Sequence, residues 1–206
     1  MIPRYQKILL AILLLASLGM GFKLWQLRDR AHKRLLAGQT SAPTAAPVVA
    51  PAEQATLVAA NDVDNSLVPQ VHSLPLPADP GSRARAVLGK LLDLYAAPDS
   101  THPVPGGAAS VAQVFLLPAH GTKNSTGDQL AVVNLTATFA ASHPAGLETE
   151  SLTVLSICAT LRANLPSVTE VRFLVDGQQR PTLAGHADLT RTYLTSEAVP
   201  VEGNKL

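Results

Sequence analysis

A single cysteine, Cys158, rules out any disulfide within this chain, and one thiol leaves the redox compartment undecided. Other absences narrow the chemistry further. No G-x-S-x-G sequence is present to build a nucleophile elbow. The run "GTKNSTG" (121–127) holds a lysine without phosphate-loop spacing and reads as a hairpin loop. The histidines, His32, His72, His102, His120, His143 and His186, are scattered singly, so no local zinc-type pattern forms. No internal repeat is visible. Beyond the N-terminal segment there is no excess of positive charge. Arg4, Lys7, Lys23, Arg28, Arg30, Lys33 and Arg34 against Asp29 give the first 38 residues +6, which with a net charge of +1 leaves −5 for the rest. Such a body is not a nucleic-acid binder.

What is present begins with an apolar run. "ILLAILLLASLGMGF" (8–22) carries no charge, and continued to Leu27 it makes 20 residues, about 30 Å of helix. A cleaved signal peptide is the competing reading. Against it, no small-x-small site precedes a polar boundary, no lipobox cysteine follows, and "KLWQLRDR" continues as a basic interfacial helix. The expectation is an uncleaved signal anchor over 1–37, spanning the membrane at about 8–27. Two basic residues precede the core and five follow it, so charge alone would leave the body in the cytoplasm. Residues 38–55, "GQTSAPTAAPVVAPAEQA", lack periodicity and bulky apolar groups and are expected to form an extended linker of up to about 50 Å. The folded body is expected over 56–194, with a tail over 195–206.

Within the body, "TLVAANDV" and "SLVPQVHSLPL" read as strands, with Pro69 confining the second to an edge. Ala84, Val87, Leu88, Leu91, Leu92 and Tyr95 follow the i, i+3, i+4 rule behind a cap at Ser82 and predict a helix ending before Pro98. "VAQVFLLP" and "QLAVVNLTATF" are predicted antiparallel neighbours. A second helix is predicted in "GLETESLTVLSICATLRANLP", with Leu147, Ser151, Val154, Leu155, Cys158, Leu161 and Leu165 on one face. Glu148 and Glu150 suit its N-terminal dipole, and Pro166 stops it. "VTEVRFLV" reads as a strand, Asp176-Gly177 as a turn and "RPTLAG" as a return strand. The pattern is α+β, a small mixed or antiparallel sheet packed by two helices and preceded by one transmembrane helix.

The segment from Ala131 to Arg191 resembles the GerMN domain, named from a germination and sporulation protein of endospore formers. The motifs carrying the resemblance are "AVVNL" with Phe139, a "TL" helix, "V..V.FLVDG" and "LAGHADL". One departure is visible: "SICATL" stands where the family helix often reads "SIVNTL", so Cys158 keeps a small apolar group while Ala159 loses an amide. The resemblance implies a compact α+β domain without known catalytic activity, needing no cofactor, exported beyond the cytoplasmic membrane. It therefore turns the orientation against the charge count.

The densest collection of reactive side chains is "FLVDGQQRPTLAGHADLTR" (173–191). A Ser-His-Asp hydrolase would draw on His186 and Asp188, but Ser151 and Ser156 sit within a predicted helix without a strained turn to expose them. A metal could take His186 and Asp188 from one face of a strand, with no further ligands identifiable. Glu148 and Glu150, at i, i+2 on a helix, diverge and do not form an acid–base pair. Cys158 lies on the apolar face without a basic neighbour. The Asn124 and Asn134 sequons are chance matches in a chain of bacterial appearance. Asp176, Gly177, Gly185, His186 and Asp188 are thus expected to be structural, fixing the turn and the last segment. The expected partners are the cytoplasmic membrane through the N-terminal helix and an envelope protein, a second copy of the chain or cell-wall glycan. The alternative is an envelope hydrolase using His186 and Asp188.

Overall fold

The computed structural model describes residues 51–119 and 127–198, together with Ser17, Met20 and Lys23. The chain divides into two units, Met1–Val48 and Val49–Leu206. In the first, Ser17, Met20 and Lys23 are helical. The rest of the expected 8–27 span, the basic flank, the linker to residue 50, the Asn124 loop and the end of the tail lie outside the described residues. No helix among the described residues is long and apolar enough to cross a membrane.

The second unit opens with a hairpin, β1 (Ala52–Asn61) and β2 (Ser66–Pro75), so the last four residues of the expected linker are strand. The turn is closed by Asn61 and Asp64, whose side chains accept from the N–H groups of Val63 (3.1 Å) and Ser66 (3.2 Å). Leu57, Val58, Ala59 and Ala60 are all buried, because helices cover β1 where sheet pairing does not. Its edge away from β2 is closed by side chains. The N–H groups of Thr56, Val58 and Ala60 donate in turn to Asn164 Oδ1 (3.0 Å), Thr160 Oγ1 (2.9 Å) and Tyr95 Oη (2.9 Å). Two residues of strand and four of helix both advance about 6 Å, so Thr160 and Asn164 keep step with Val58 and Thr56.

Helix α1 (Pro80–Tyr95) follows. Its cap is Asp79, which accepts from Ser82 N–H at 2.7 Å, and not Ser82 as expected: Pro80 at the first helical position shifts the start three residues upstream. The predicted apolar positions Ala84, Val87, Leu88, Leu91, Leu92 and Tyr95 are all buried. After a short 3₁₀ turn (Gly107–Ser110) come β3 (Val111–Pro118) and β4 (Gln129–Leu135), antiparallel as predicted. A third, short helix not foreseen, α2 (Ala137–Ser142), is capped by Thr136 and buries Phe139. Helix α3 (Leu147–Asn164) then crosses over to β5 (Val168–Val175), parallel to β4, and β6 (Tyr193–Leu194) closes the order β3-β4-β5-β6.

Two expectations are corrected here. The body holds two sheets among the described residues, not one. "RPTLAG" is no return strand: it contributes an isolated Thr182–Asp188 bridge, and Tyr193 and Leu194 take the place beside β5. Thr195 and Ala198, assigned to the tail, are buried, and Thr195 bonds back to Thr169 and Val168. The face of the four-stranded sheet bearing Ala131, Val133, Leu135, Val171, Phe173 and Tyr193 is buried. Its opposite face, bearing Phe115, Leu117, Leu130, Val132, Glu170, Arg172, Leu174 and Leu194, is exposed or half-buried.

Candidate functional site

Glu150, expected to be a first-turn dipole partner, is the centre of the C-terminal segment. Of the predicted helix face, Val154, Cys158, Leu161 and Leu165 are buried, Ser151 and Leu155 half-buried and Leu147 65% exposed, while the buried surface extends beyond it to Glu150, Thr153 and Ser156. The Glu150 side chain is taken from solvent by the returning segment 183–189. Its Oε2 accepts from the N–H groups of Ala184 (3.0 Å), His186 (2.9 Å) and Ala187 (2.9 Å), and its Oε1 from Gly146 N–H (3.2 Å) and His186 Nδ1 (2.9 Å). To aim successive N–H groups at one oxygen the chain must curl tightly. Gly185, at φ +132°, supplies a conformation that side-chain-bearing residues rarely adopt. Burial pushes the Glu150 carboxyl up, but the hydrogen bonds from Ala184, Ala187 and His186 outweigh it and bring the pKa to about 2.

His186 is held at Nδ1 by Glu150 and leaves about half of its ring exposed. It lines an open pocket of about 330 Å³ with Ser151, Leu155, Asp188, Arg191 and Tyr193. Asp188 does not orient it. The Asp188 Oδ1 instead accepts from Thr190 N–H (2.8 Å) and Thr190 Oγ1 (2.6 Å), and those two bonds hold its carboxyl below the usual range. The hypothetical pairing of His186 with Asp188 as metal ligands on one strand face therefore fails: neither lies in a strand, and each side chain is committed elsewhere. Arg191 stacks its guanidinium on the Tyr193 ring, 4.1 Å from the centroid, while Tyr193 donates its hydroxyl to the Asp188 carbonyl (2.6 Å).

Asp176 and Gly177 form the predicted turn, both at positive φ (48° and 74°). The turn does more than reverse the chain. Asp176 Oδ1 accepts from Ala137 N–H at the start of α2 (3.0 Å), and Gly177 N–H donates to Asn134 Oδ1 (2.7 Å), which ties the end of β5 to the end of β4.

The singly scattered histidines include two that meet. His102 and His143, both buried, turn their Nε2 atoms to the same hydroxyl, Thr153 Oγ1, at 2.7 and 2.8 Å. His143 Nδ1 faces the Pro144 carbonyl (2.8 Å) and must donate to it. His102 Nδ1 faces the Asp62 carboxylate at 2.6 Å. Thr153 Oγ1 in turn donates to the Thr149 carbonyl (3.1 Å), so two imidazoles converge on the oxygen of one committed hydroxyl. Burial pushes the His143 imidazole down, with the Pro144 carbonyl opposing. Nothing in the local sequence signals this cluster, because its members come from the β1–β2 turn, the loop after α1, the α2–α3 junction and α3.

Chemically, the carboxylate behind an imidazole is the arrangement a general base uses. Ser151 shares its pocket, but among the described residues no hydrogen bond joins Ser151 to His186, and the clustered N–H groups that could stabilise an oxyanion are taken by Glu150. Ser156 is buried and donates to the Thr153 carbonyl (2.8 Å). Cys158 is a free, fully buried thiol whose pKa burial pushes up, away from nucleophilic use. Glu148 remains on the first turn of α3. No group of three or more metal-ligating side chains converges among the described residues.

Among solved structures, the chain is similar to the tandem GerMN domains of the sporulation protein GerM from Bacillus subtilis, at 17% identity and a TM-score of 0.42, over 71% of this chain and 47% of that one. It thus spans about half of that tandem protein. It is also similar to the first GerMN domain of the same protein, at 17% identity and a TM-score of 0.38, over 70% of this chain and 98% of that one. No curated protein matches. The family Germane, sporulation and spore germination, matches residues 51–181, which takes in the β1–β2 hairpin and ends before Gly185, His186 and Asp188. On that match, covering well over half of its length, the chain belongs to the Germane family of sporulation and spore germination domains.

Proposed function

We propose that this chain is a single-pass protein of the cytoplasmic membrane whose GerMN-like body lies on the extracytoplasmic side and serves as a non-catalytic binding or assembly module of the cell envelope. The observation that carries this reading is the commitment of the reactive-looking residues to the fold. Glu150 consumes the donors and the imidazole nitrogen that a hydrolase would need, and Asp188 is spent on Thr190. The uncharged run from Ile8 to Phe22 supports the anchor, and the absence of a net positive body argues against a nucleic-acid partner. The partner is another envelope protein or a second copy of the chain, with cell-wall glycan as the lesser alternative. Sporulation itself is not carried over from the family name.

Purified residues 49–206 test the non-catalytic part. The expected result is no turnover of envelope polymers and no bound metal. Stoichiometric metal, or turnover that disappears in His186→Ala, would overturn it in favour of a hydrolase built on His186. A reporter fused after Leu206 tests the topology: activity of a periplasmic reporter is expected, and activity of a cytoplasmic reporter alone would contradict it.

A further inference from the structure

The four-stranded sheet buries one face and leaves the other open. On the open face Phe115 and Leu117 are 45% and 47% exposed, and Leu130 and Val132 beside them on β4 are half-buried. The same face carries two charges from β5, Glu170 and Arg172. Neither takes part in an ion pair among the described residues, where the pairs are Arg83 with Glu53, His102 with Asp62 and His186 with Glu150. An apolar sheet face with one acid and one base side by side is self-complementary only in particular arrangements.

We propose that this open face docks a second copy of the same chain, sheet on sheet, about a twofold axis that lies in the interface and runs across the strands. The proposal rests on the membrane-tethered binding-module reading and names its partner. Two such axes keep the strands of the two copies aligned, one along them and one across them. An axis along β5 sets each residue over its own copy, so Glu170 meets Glu170 and Arg172 meets Arg172, which repel. An axis across the strands at Val171 reverses the residue order but keeps the strand order. Glu170 then lies over Arg172 of the other copy, and the contact is made twice. The observed register extends the match: Leu130 pairs with Glu170 and Val132 with Arg172, while Leu117 and Phe115 pair with Leu130 and Val132. The same axis therefore stacks Leu130 on Val132 and Phe115 on Leu117 of the other copy. Sheets stacked about 10 Å apart at about 30° keep such neighbours within reach.

The size of the face sets the strength. The three long strands at about 4.8 Å and five residues at about 3.3 Å give on the order of 240 Å² of flat area per copy, to which the two-residue β6 adds little. Standard interfaces bury about 800 Å² per partner, so this dimer is weak and depends on two chains sharing one membrane surface.

Sedimentation of the full-length chain in detergent micelles, over rising protein-to-micelle ratios, tests the arrangement. A concentration-dependent dimer is expected. Glu170→Arg and Arg172→Glu should each weaken it roughly tenfold or more, because each converts two attractions into two repulsions. The double exchange, Glu170→Arg with Arg172→Glu, should restore it to within about threefold of the wild type. Phe115→Ser, which alters neither charge, should also weaken it and covers the case in which a reversal disturbs folding. A chain that stays monomeric at every ratio overturns the proposal. So does a dimer indifferent to the reversals or to Phe115→Ser, and so does a double exchange that fails to restore association. If the monomeric chain nevertheless crosslinks in cells to a different envelope protein, self-docking falls while the binding-module reading stands.

Discussion

His102 and His143 come from distant parts of the chain and address one buried hydroxyl, that of Thr153. Thr153→Val removes the bridge and strands a buried ring nitrogen, at an expected cost of about 1–3 kcal/mol in urea unfolding. The sign for His143 follows from its direction. A folded pKa below the ordinary histidine value means the unfolded chain binds the proton more readily. His143 therefore contributes stability above pH ~6.5, and this is lost as pH falls through its folded pKa. At this scale sequence reading succeeded where the chemistry is local. Asp176-Gly177 was legible because the turn requires positive φ at adjacent residues, which that dipeptide tolerates. Glu150 with His186, and His102 with His143, were not legible, because each contact is made by the fold and leaves no spacing in the chain.

Among the elements, the pairing of β1 with α3 explains why a helix can be polar on a buried side. Thr160 and Asn164 are polar, and they close the edge of a strand that has no sheet neighbour there. Asn164 also donates to the Thr56 carbonyl at 2.7 Å. Asn164→Leu is expected to destabilise by about 1–3 kcal/mol, leaving the part-buried Thr56 N–H and carbonyl without their side-chain partner. Hydrogen exchange should locate the damage at Thr56, and an unchanged exchange rate there would contradict the edge-closing role. Periodicity found only part of the buried surface of α3 for the same reason: that surface also includes hydroxyls that serve a strand and a histidine pair, which apolar spacing alone misses. The edge reading of Pro69 agrees with the sheet order. Thr56, Val58 and Ala60 turn away from β2, so their partners in register, Val71, Pro69 and Leu67, face outward, and so does Pro75 opposite Ala52. Pro69 and Pro75 therefore remove N–H groups only from the outer edge of β2, which disfavours strand addition there.

For the whole molecule, the central claim is that the reactive cluster near the C-terminus is a clasp. One buried carboxylate on α3 gathers the segment 183–189, and β6 then completes the sheet. Such a clasp is coupled to global unfolding, because releasing it exposes Leu183, Ala187 and Leu189 and frees the last strand. The Glu150 pKa of about 2, against 4.5 for the free side chain, makes the clasp a source of acid sensitivity. Its contribution is complete above pH 4.5 and is lost as pH falls toward 2, amounting to about 3 kcal/mol. Glu150→Gln keeps the shape and removes the charge. The decisive measurement is therefore the unfolding free energy of residues 49–206 as a function of pH, for the wild type and for Glu150→Gln. The account predicts a variant about 2–4 kcal/mol less stable at neutral pH that lacks most of the wild-type decline between pH 4.5 and 2. Equal stability at neutral pH with an unchanged acid slope would contradict it.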